Sequence, residues 1–190
     1  MEWCISPLRT TGCTRSSLKK TLFDCGNTPG RNELNKYLKQ LAWKNDEIGI
    51  AKTFVVHSQE DNKQIVAYYS ISMSLIEAVD LPDTQREGLP GYPVPAMLIG
   101  KLAVDKSLQR QGIGKLMLAH IFCSVIEIAE KVGVFAVKIE AKDDEAAEYY
   151  VNRGGFIRLK NTPLRLFLPV STIRRAREIE GLGRKFVGFE

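Results

Sequence analysis

The sequence predicts a single α/β domain in which helices flank a mixed central sheet. Its 190 residues are 44% hydrophobic and 26% charged, which is the balance of one soluble domain with its own core. Segments rich in β-branched and aromatic residues alternate along the chain with segments whose apolar residues recur every three or four positions. Strand and helix patterns that interleave in this way are typical of helices packed on one sheet.

The first half of the chain predicts a helix, a hairpin and a long loop. The helix spans residues 32–43, where apolar residues recur at helical spacing after Asn32, a suitable N-cap. The hairpin pairs residues 53–57 with residues 65–73 across a polar turn. Residues 75–95 carry four prolines and two glycines, which exclude a helix or a central strand there.

The second half predicts the rest of the sheet and three further helices. Residues 97–104 are nearly continuously apolar, as in a strand that is covered on both faces. The longest helix spans residues 112–131 and ends before Gly133. The remaining predicted elements are a strand at 134–141, a helix at 143–152 capped by Asp143 or Asp144, two strands at 156–159 and 164–168, and a terminal helix at 171–180.

Composition excludes several classes of protein. The four cysteines form no C-x-x-C pair and the two histidines stand at no metal-ligand spacing, so we expect no metal. No stretch approaches the roughly 18 consecutive apolar residues of a membrane span, and the first residues contain no basic-then-apolar signal region. We therefore expect a cytoplasmic globular protein with no membrane partner.

The surplus of positive charge lies at the C-terminal end. Residues 1–157 hold 19 basic and 19 acidic side chains, whereas residues 158–190 hold eight basic and three acidic ones. A clustered basic end is typical of proteins that bind a polyanion. The net excess of +5 is modest, so a solvated helix and tail explains the same segment equally well.

The segment 102–115 carries the most informative motif. A buried strand is predicted to end at Val104, a polar loop follows, and the longest helix opens at Gly112 and Gly114. The first turn of a helix has unpaired amides and the positive end of the dipole. Glycine lets an anion approach that backbone without a Cβ in the way. The segment therefore predicts a cradle for a pyrophosphate.

Two common phosphate-binding motifs do not fit this segment. A P-loop is excluded, because no Gly-Lys-Ser/Thr follows four variable residues after a first glycine. A dinucleotide-binding fold needs a third glycine, and Lys115 occupies that position. Lys115 and Arg110 instead add positive charge on either side of the cradle.

The same residues resemble a known family. Gln109-Arg110-Gln111-Gly112-Ile113-Gly114 matches Gln/Arg-x-x-Gly-x-Gly/Ala, the signature of the GNAT acyl-CoA N-acyltransferases. That family also places a tyrosine before a Gly-Phe pair, with three residues between. Here Tyr150 precedes Gly155-Phe156 with four residues between, which leaves Tyr149 as the alternative. The resemblance implies a GNAT-like domain with a mostly antiparallel sheet over residues 1–168, followed by a basic extension, 169–190.

A narrower resemblance is to the acetyltransferase toxins of bacterial type II toxin–antitoxin pairs. It rests on four segments: Phe23-Asp24-Cys25-Gly26, Leu34-Asn35-x-Tyr37-Leu38, Pro93-Val94-Pro95 and Ile99-Gly100-Lys101-Leu102-Ala103-Val104-Asp105. Such toxins block translation by acetylating the α-amino group of aminoacyl-tRNA. The resemblance also implies a ribbon-helix-helix antitoxin and a homodimer. Lys101, often arginine in those proteins, and the basic extension depart from the pattern.

The resemblance implies roles for individual residues. Acetyl-CoA would place its pyrophosphate on the amides of 111–115, with its pantetheine arm along the preceding strand. The implied cofactor-binding residues are Leu102, Ala103, Val104, Gln109, Arg110, Gln111, Gly112, Ile113, Gly114 and Lys115. An amine would attack the thioester directly, with Tyr150 as the general acid for the departing thiolate.

The general base and the acceptor stay open at this stage. No carboxylate lies on 97–104, and an α-amino group with a pKa near 7.7–8.0 is partly neutral without help, which favours water over a dedicated base. The alternative bases are Glu140, Asp143 and Asp144. The basic end would hold tRNA phosphates, with residues nearer the acceptor end at Arg86, Lys101 and Arg153. The competing functions are a GNAT enzyme for a small-molecule or protein amine, and a nucleic-acid-binding module without catalysis.

Overall fold

The computed structural model describes residues 2–179, which form seven strands and seven α-helices. The strands are β1 (Trp3–Pro7), β2 (Lys52–Ser58), β3 (Ile65–Ile76), β4 (Val94–Val104), β5 (Ala136–Glu140), β6 (Ile157–Arg158) and β7 (Arg165–Pro169). The helices are α1 (Arg15–Lys19), α2 (Pro29–Lys36), α3 (Ala42–Glu47), α4 (Asp83–Arg86), α5 (Ile113–Ala129), α6 (Asp144–Gly154) and α7 (Val170–Ile179).

All seven strands belong to one sheet, in the order β1-β2-β3-β4-β5-β7-β6. Strand β2 pairs antiparallel with both β1 and β3, and β7 pairs antiparallel with both β5 and β6. The predicted class, an α/β domain with a mostly antiparallel central sheet, is confirmed. None of the helices in the described part of the chain combines the length and the apolarity that a membrane span needs.

Within this fold the chain divides into two compact units. The first unit comprises Met1–Met73 and Ile99–His120, and the second comprises Ser74–Leu98 and Ile121–Glu190. The predicted boundary between a domain ending at 168 and an extension from 169 stays a prediction. The last eleven residues of that extension lie outside the described residues.

Aromatic residues form the centre of the first unit. The ring of Tyr68 on β3 stacks on Tyr37 at 6.0 Å and meets Phe23 edge-on at 5.6 Å. The Tyr68 hydroxyl donates to the carbonyl of Leu34 at 2.7 Å, so its polar end is satisfied inside the core. These contacts hold the helical segment that begins at α2 against the sheet.

That helical segment differs from its prediction at its start and in its interior. Helix α2 begins at Pro29 with Thr28 as its N-cap, so the prediction that Asn32 caps the helix is wrong. Proline at the first helical position has the right φ angle and lacks only an amide that would stay unpaired. A π turn at Tyr37–Leu41 then joins α2 to α3, and the amide of Ala42 donates to the carbonyl of Tyr37 across it.

The exclusion of a helix or a central strand from residues 75–95 is wrong in the middle and at both ends. Strand β3 extends to Ile76, β4 begins at Val94, and the single turn α4 follows Pro82. Proline causes no loss there, because it stands at the N-cap, before the helical hydrogen bonds begin. Strand β1 and helix α1 were not predicted at all. Strand β1 is defined by its pairing with β2 along its whole length, which the short pattern of residues 3–7 does not reveal.

The second unit has its own core around β5 and β7. Its buried residues are Ile76, Leu81, Val94, Ala96, Ala136, Leu159 and Phe167. Asp143 is the N-cap of α6, and its carboxylate accepts from the amide of Ala146 at 2.8 Å. This selects Asp143 from the two caps that the sequence allowed. Helix α7 buries Val170 and Ile173 and exposes its basic face.

Candidate active site

The loop between β4 and α5 is fixed by the carboxylate of Asp105. One oxygen of this group accepts from the amide of Ser107 at 3.0 Å and from the Ser107 hydroxyl at 2.7 Å. The amide of Asp105 itself donates to the carbonyl of Val66 at 2.8 Å. Partial burial raises the pKa of Asp105, but the hydrogen bonds from Asp24 and Ser107 outweigh that effect and lower it below its usual range. The loop therefore leaves the strand in one defined direction.

Two residues of this loop have left-handed backbone. Arg110 has a φ of 64° and Gly112 a φ of 89°, and Arg110 is the only non-glycine residue with positive φ in the described part of the chain. Such a conformation is uncommon for a residue with a side chain and is found preferentially at functional sites. A Cβ built on Gly112 would meet nothing within 4 Å. The backbone at Gly112 is therefore open to approach.

The start of α5 offers unpaired amides. The amides of Lys115 and Leu116 donate to the carbonyl of Gly112 at 3.0 and 3.1 Å. The amides of Gly112, Ile113 and Gly114 donate to no acceptor among residues 2–179. The amide of Lys115, included in the predicted cradle of 111–115, is thus occupied, whereas the amides of Gly112, Ile113 and Gly114 are available to an anion at the positive end of a 17-residue helix.

The two glutamines of the motif shape the loop. The carboxamide nitrogen of Gln109 donates to the carbonyls of Cys25 and Val104, each at 3.0 Å. Both of its protons are used, so this side chain holds the loop and has no donor left for a ligand. The Gln111 carboxamide donates to the carbonyl of Ser107 at 3.2 Å.

The side chains of the remaining predicted residues differ in their exposure to solvent. Arg110 and Lys115 are exposed and make no ion pair with any described residue, so both charges are available to a ligand. On β4, Ala103 is buried in the core of the first unit, whereas Leu102 and Val104 are partly exposed. Because side chains alternate along a strand, Leu102 and Val104 share the face opposite Ala103.

Tyr150 lies on α6, in the second unit, packed between other rings. It meets Phe156 at 5.9 Å and Tyr149 at 5.6 Å, in both cases edge-on. Burial, with a smaller contribution from Tyr149, raises the pKa of Tyr150 to about 12, so the phenol stays protonated at neutral pH. Its hydroxyl has no hydrogen-bond partner among the described residues. Tyr150 is partly buried, whereas Tyr149 is 42% exposed. A protonated, unpartnered phenol is suited to donate a proton or a hydrogen bond.

The two glycines at the C-terminal end of α6 explain the spacing between Tyr150 and Phe156. The helix continues through Gly154 and ends at Gly155, whose φ of 68° turns the chain back. The amide of Phe156 then donates to the carbonyl of Tyr150 at 3.3 Å, as in a Schellman cap. A Cβ on Gly154 would lie 2.8 Å from the ring of Phe156. One glycine therefore provides the turn and the other provides room for the ring.

The carboxylates considered as bases have structural partners. Asp143 caps α6 and lies 3.2 Å from the ammonium of Lys142. Glu140 lies 3.2 Å from the guanidinium of Arg165, and Asp144 lies 3.8 Å from that of Arg158.

The predicted basic residues are placed as follows. Lys101 lies over the ring of Tyr37, with its ammonium 5.8 Å from the ring centroid. Arg174 pairs with Glu130 at 2.8 Å, whereas Arg175 is exposed and unpaired within the described range. Arg86 and Arg153 are exposed, and Arg177 is half-buried. Two further basic residues of the extension, Arg184 and Lys185, lie outside the described residues.

Comparison with known proteins identifies relatives of this chain. A tRNA-acetylating toxin of Mycobacterium tuberculosis (strain ATCC 25618 / H37Rv) is 29% identical over 123 residues, which cover 65% of this chain and 72% of the toxin. A solved structure of a tyrosine-to-phenylalanine mutant of KacT is 29% identical, with a TM-score of 0.80, and covers 93% of this chain and 99% of KacT. AtaT complexed with acetyl-methionyl-tRNAfMet is 26% identical, with a TM-score of 0.80, over 92% of this chain and 99% of AtaT.

AtaT has also been solved in other complexes. One structure holds acetyl-CoA, and the chain matches it with a TM-score of 0.75 at 26% identity, over 92% of this chain and 98% of that one. Another is a mutant bound to the C-terminus of the antitoxin AtaR, matched with a TM-score of 0.73 at 25% identity, over 93% and 98% of the two chains.

A family model covers both the loop before α5 and the helix α6. The model of the acetyltransferase (GNAT) family matches residues 20–156, from the segment before α2 to Phe156. This range contains the loop with its three unpaired amides and the helix that carries Tyr150. The chain belongs to the GNAT family and is an acetyltransferase.

Proposed function

We propose that this enzyme transfers the acetyl group of acetyl-CoA to the α-amino group of an aminoacyl-tRNA and thereby blocks translation as a toxin. The observation that carries the proposal is the open turn at Gly112, with three unpaired amides at the start of α5. A diphosphate fits this set, because it needs several donors, a positive helix end and no Cβ in its path. The acceptor is proposed from the relatives, one named as a tRNA-acetylating toxin and one solved with acetyl-methionyl-tRNAfMet.

We assign the binding of the diphosphate to the amides of Gly112, Ile113 and Gly114. The exposed side chains of Arg110 and Lys115 add positive charge to it. Bound acetyl-CoA supplies an activated acetyl group as a thioester. The main chain of Leu102, Ala103 and Val104 is our candidate for the strand along which the pantetheine arm lies.

The proposed reaction forms a C–N bond and breaks the C–S bond. The neutral amine attacks the thioester carbonyl and gives one proton to water, while the sulfur leaves as a thiolate. Tyr150 donates its hydroxyl proton to that sulfur and is then protonated again from solvent. A well-placed general acid contributes about 10²–10⁴ in rate. Tyr150 is preferred to Tyr149 because it is the more buried of the two, and burial keeps its hydroxyl protonated at neutral pH.

No carboxylate is assigned as a base. The three acidic residues considered for this role have partners of their own, as a cap or in ion pairs. An α-amino group has a pKa of about 7.7–8.0, so a useful fraction is neutral at cellular pH. Water can therefore accept the proton.

The proposed partners follow from charge and from the relatives. The exposed cations Arg86, Arg153 and Arg175 would contact tRNA phosphates, as would Lys101 if the acceptor end reaches β4. AtaT binds the C-terminus of the antitoxin AtaR, and we propose a ribbon-helix-helix antitoxin for this chain. A homodimer, a cytoplasmic location and the absence of a metal complete the proposal.

The test is incubation with labelled acetyl-CoA and total charged tRNA, followed by identification of the modified group. We expect label on the α-amino group of the esterified amino acid, and loss of label with Tyr150→Phe at unchanged acetyl-CoA affinity. Label on free polyamines or on protein amines, with none on tRNA, would replace the proposal with the small-molecule or protein-amine enzyme.

A further inference from the structure

A short segment of the first unit packs directly against the loop that bears the proposed diphosphate site. The amide of Asp24 donates to a carboxylate oxygen of Asp105 at 2.9 Å, and its carbonyl accepts from the amide of Lys106 at 2.8 Å. The next carbonyl, of Cys25, accepts from the side chain of Gln109 at 3.0 Å. Three hydrogen bonds thus connect two consecutive residues to the loop, across more than 80 positions of sequence.

Helix α2 holds the same segment from another direction. The carboxamide oxygen of Asn35 accepts from the amide of Cys25 at 2.9 Å. Its nitrogen donates to a carboxylate oxygen of Asp24 at 2.9 Å and to the carbonyl of Gly26 at 3.0 Å. The Asn35 side chain therefore forms hydrogen bonds with all three residues of the segment 24–26.

The carboxylate of Asp24 is the point at which these elements meet. One oxygen accepts from Asn35 and from the amide of Gly26, and the other lies 2.7 Å from the ammonium of Lys106 in the loop. The bonds from Lys106, Gly26 and Asn35 together lower the pKa of Asp24 to about 2. The Lys106 side chain is 63% exposed, and exposed ion pairs contribute little to stability. The arrangement therefore fixes the position of the loop between β4 and α5.

We propose that Asp24 and Asn35 are positioning residues for the acetyl-CoA diphosphate. Through Asp105, Lys106 and Gln109 they hold both ends of the 105–109 segment, so that the left-handed turn at Arg110 and Gly112 presents its amides to the ligand. The inference rests on the proposed function, because it gives the loop its ligand. It assigns a role to two residues that the sequence marked only by resemblance.

The experiment compares two acetyl donors in the Asp24→Ala and Asn35→Ala enzymes. Acetyl-CoA contains the diphosphate, whereas S-acetyl-pantetheine has the same thioester without it. We expect kcat/KM for acetyl-CoA to fall about tenfold to a hundredfold, through KM, since the loss of one hydrogen bond to a charged group has an effect of about this size. We expect kcat/KM for S-acetyl-pantetheine to stay within about twofold of the wild-type value.

Two further variants serve as matched controls. Asp83→Ala removes another exposed aspartate that lies 2.6 Å from a lysine, Lys160, in the second unit, and we expect it to leave the ratio between the two donors unchanged. Asp24→Asn keeps an oxygen for Gly26 and Asn35 but loses the charge that faces Lys106. We expect an intermediate ratio, which keeps the test decisive if Asp24→Ala does not fold.

The outcomes distinguish an error in the proposed diphosphate site from an error in the proposed positioning role. If Gly112→Asp leaves the KM for acetyl-CoA unchanged, the proposed diphosphate site is wrong. If Gly112→Asp raises that KM, while the Asp24 and Asn35 variants reduce both donors equally or neither, the site stands and the positioning role is overturned.

Discussion

A substitution at Gly112 tests the proposed diphosphate site most directly. Gly112 has a φ of 89°, and a Cβ there meets nothing within 4 Å, so a new side chain strains the backbone without a steric clash. Left-handed backbone costs about 1–2 kcal/mol for a residue with a side chain, and less for asparagine and aspartate. The Gly112→Asn and Gly112→Asp enzymes share this strain and their shape, and they differ in one negative charge.

That charge determines the expected difference in affinity. Two unit charges about 4 Å apart interact with about 1 kcal/mol in water, so a diphosphate with about two charges is repelled by about 2 kcal/mol. This corresponds to roughly 30-fold weaker binding. We therefore expect the Kd for acetyl-CoA to be about 30-fold higher for Gly112→Asp than for Gly112→Asn, at low ionic strength. Isothermal titration calorimetry measures both values.

The salt dependence and the stability provide the controls. Screening reduces the difference, because the Debye length falls from about 30 Å at 0.01 M salt to about 3 Å at 1 M. Both variants should have the same melting temperature, a few degrees below that of the wild type. Equal affinities of the two variants for acetyl-CoA at low salt would refute the placement of the diphosphate at Gly112.

Four other changes have expected outcomes. Tyr150→Phe should reduce kcat by about 10²–10⁴ with unchanged acetyl-CoA affinity; full activity would remove the acid role. Gly154→Ala should lower the free energy of unfolding by about 1–3 kcal/mol, although alanine favours helix, because its Cβ lies 2.8 Å from the ring of Phe156; denaturant titration checks this. Arg175→Glu should weaken tRNA binding and flatten its dependence on salt, as a filter-binding series from 50 to 200 mM salt would reveal. Asp24→Asn should change the acid limb of stability: since folding lowers the pKa of Asp24 from 3.8 to about 2, its contribution is complete above about pH 4 and is lost as the pH falls through about 2. Because the partner Lys106 is exposed, the effect is small: the wild type should lose slightly more of its melting temperature than Asp24→Asn between pH 4 and pH 2, and parallel curves would contradict the lowered pKa.

The accuracy of the sequence predictions depended on the range of the interactions involved. The hairpin of β2 and β3 and the long helix α5 followed from the periodicity of neighbouring residues, and both are confirmed. The N-cap of the first predicted helix was wrong because Thr28 and Pro29 precede its apolar pattern. Strand β1 was missed because its identity comes from pairing with β2, about 50 residues away.

Predictions for the candidate site also depended on the range of the interactions. Gly112 and Gly114 marked the start of α5 from the sequence alone, because a helix start and a permissive backbone are local properties. The role of the Gln109 side chain was not predictable, since its acceptors, the carbonyls of Cys25 and Val104, are brought to it only by the fold. The left-handed Arg110 carries no signal in the sequence, because residues with a side chain rarely adopt that conformation.

By itself, the sequence determined the class of fold and the family, and it predicted the segment 102–115 as the cofactor site, because each depends on residue types at short spacing. The tertiary structure decided which of the predicted groups are available. It occupies the Lys115 amide and the Gln109 carboxamide with internal acceptors, leaves the Gly112 turn open, and raises the pKa of Tyr150 by burial. Such availability depends on what surrounds a group in space, and residues far apart in the chain provide those surroundings.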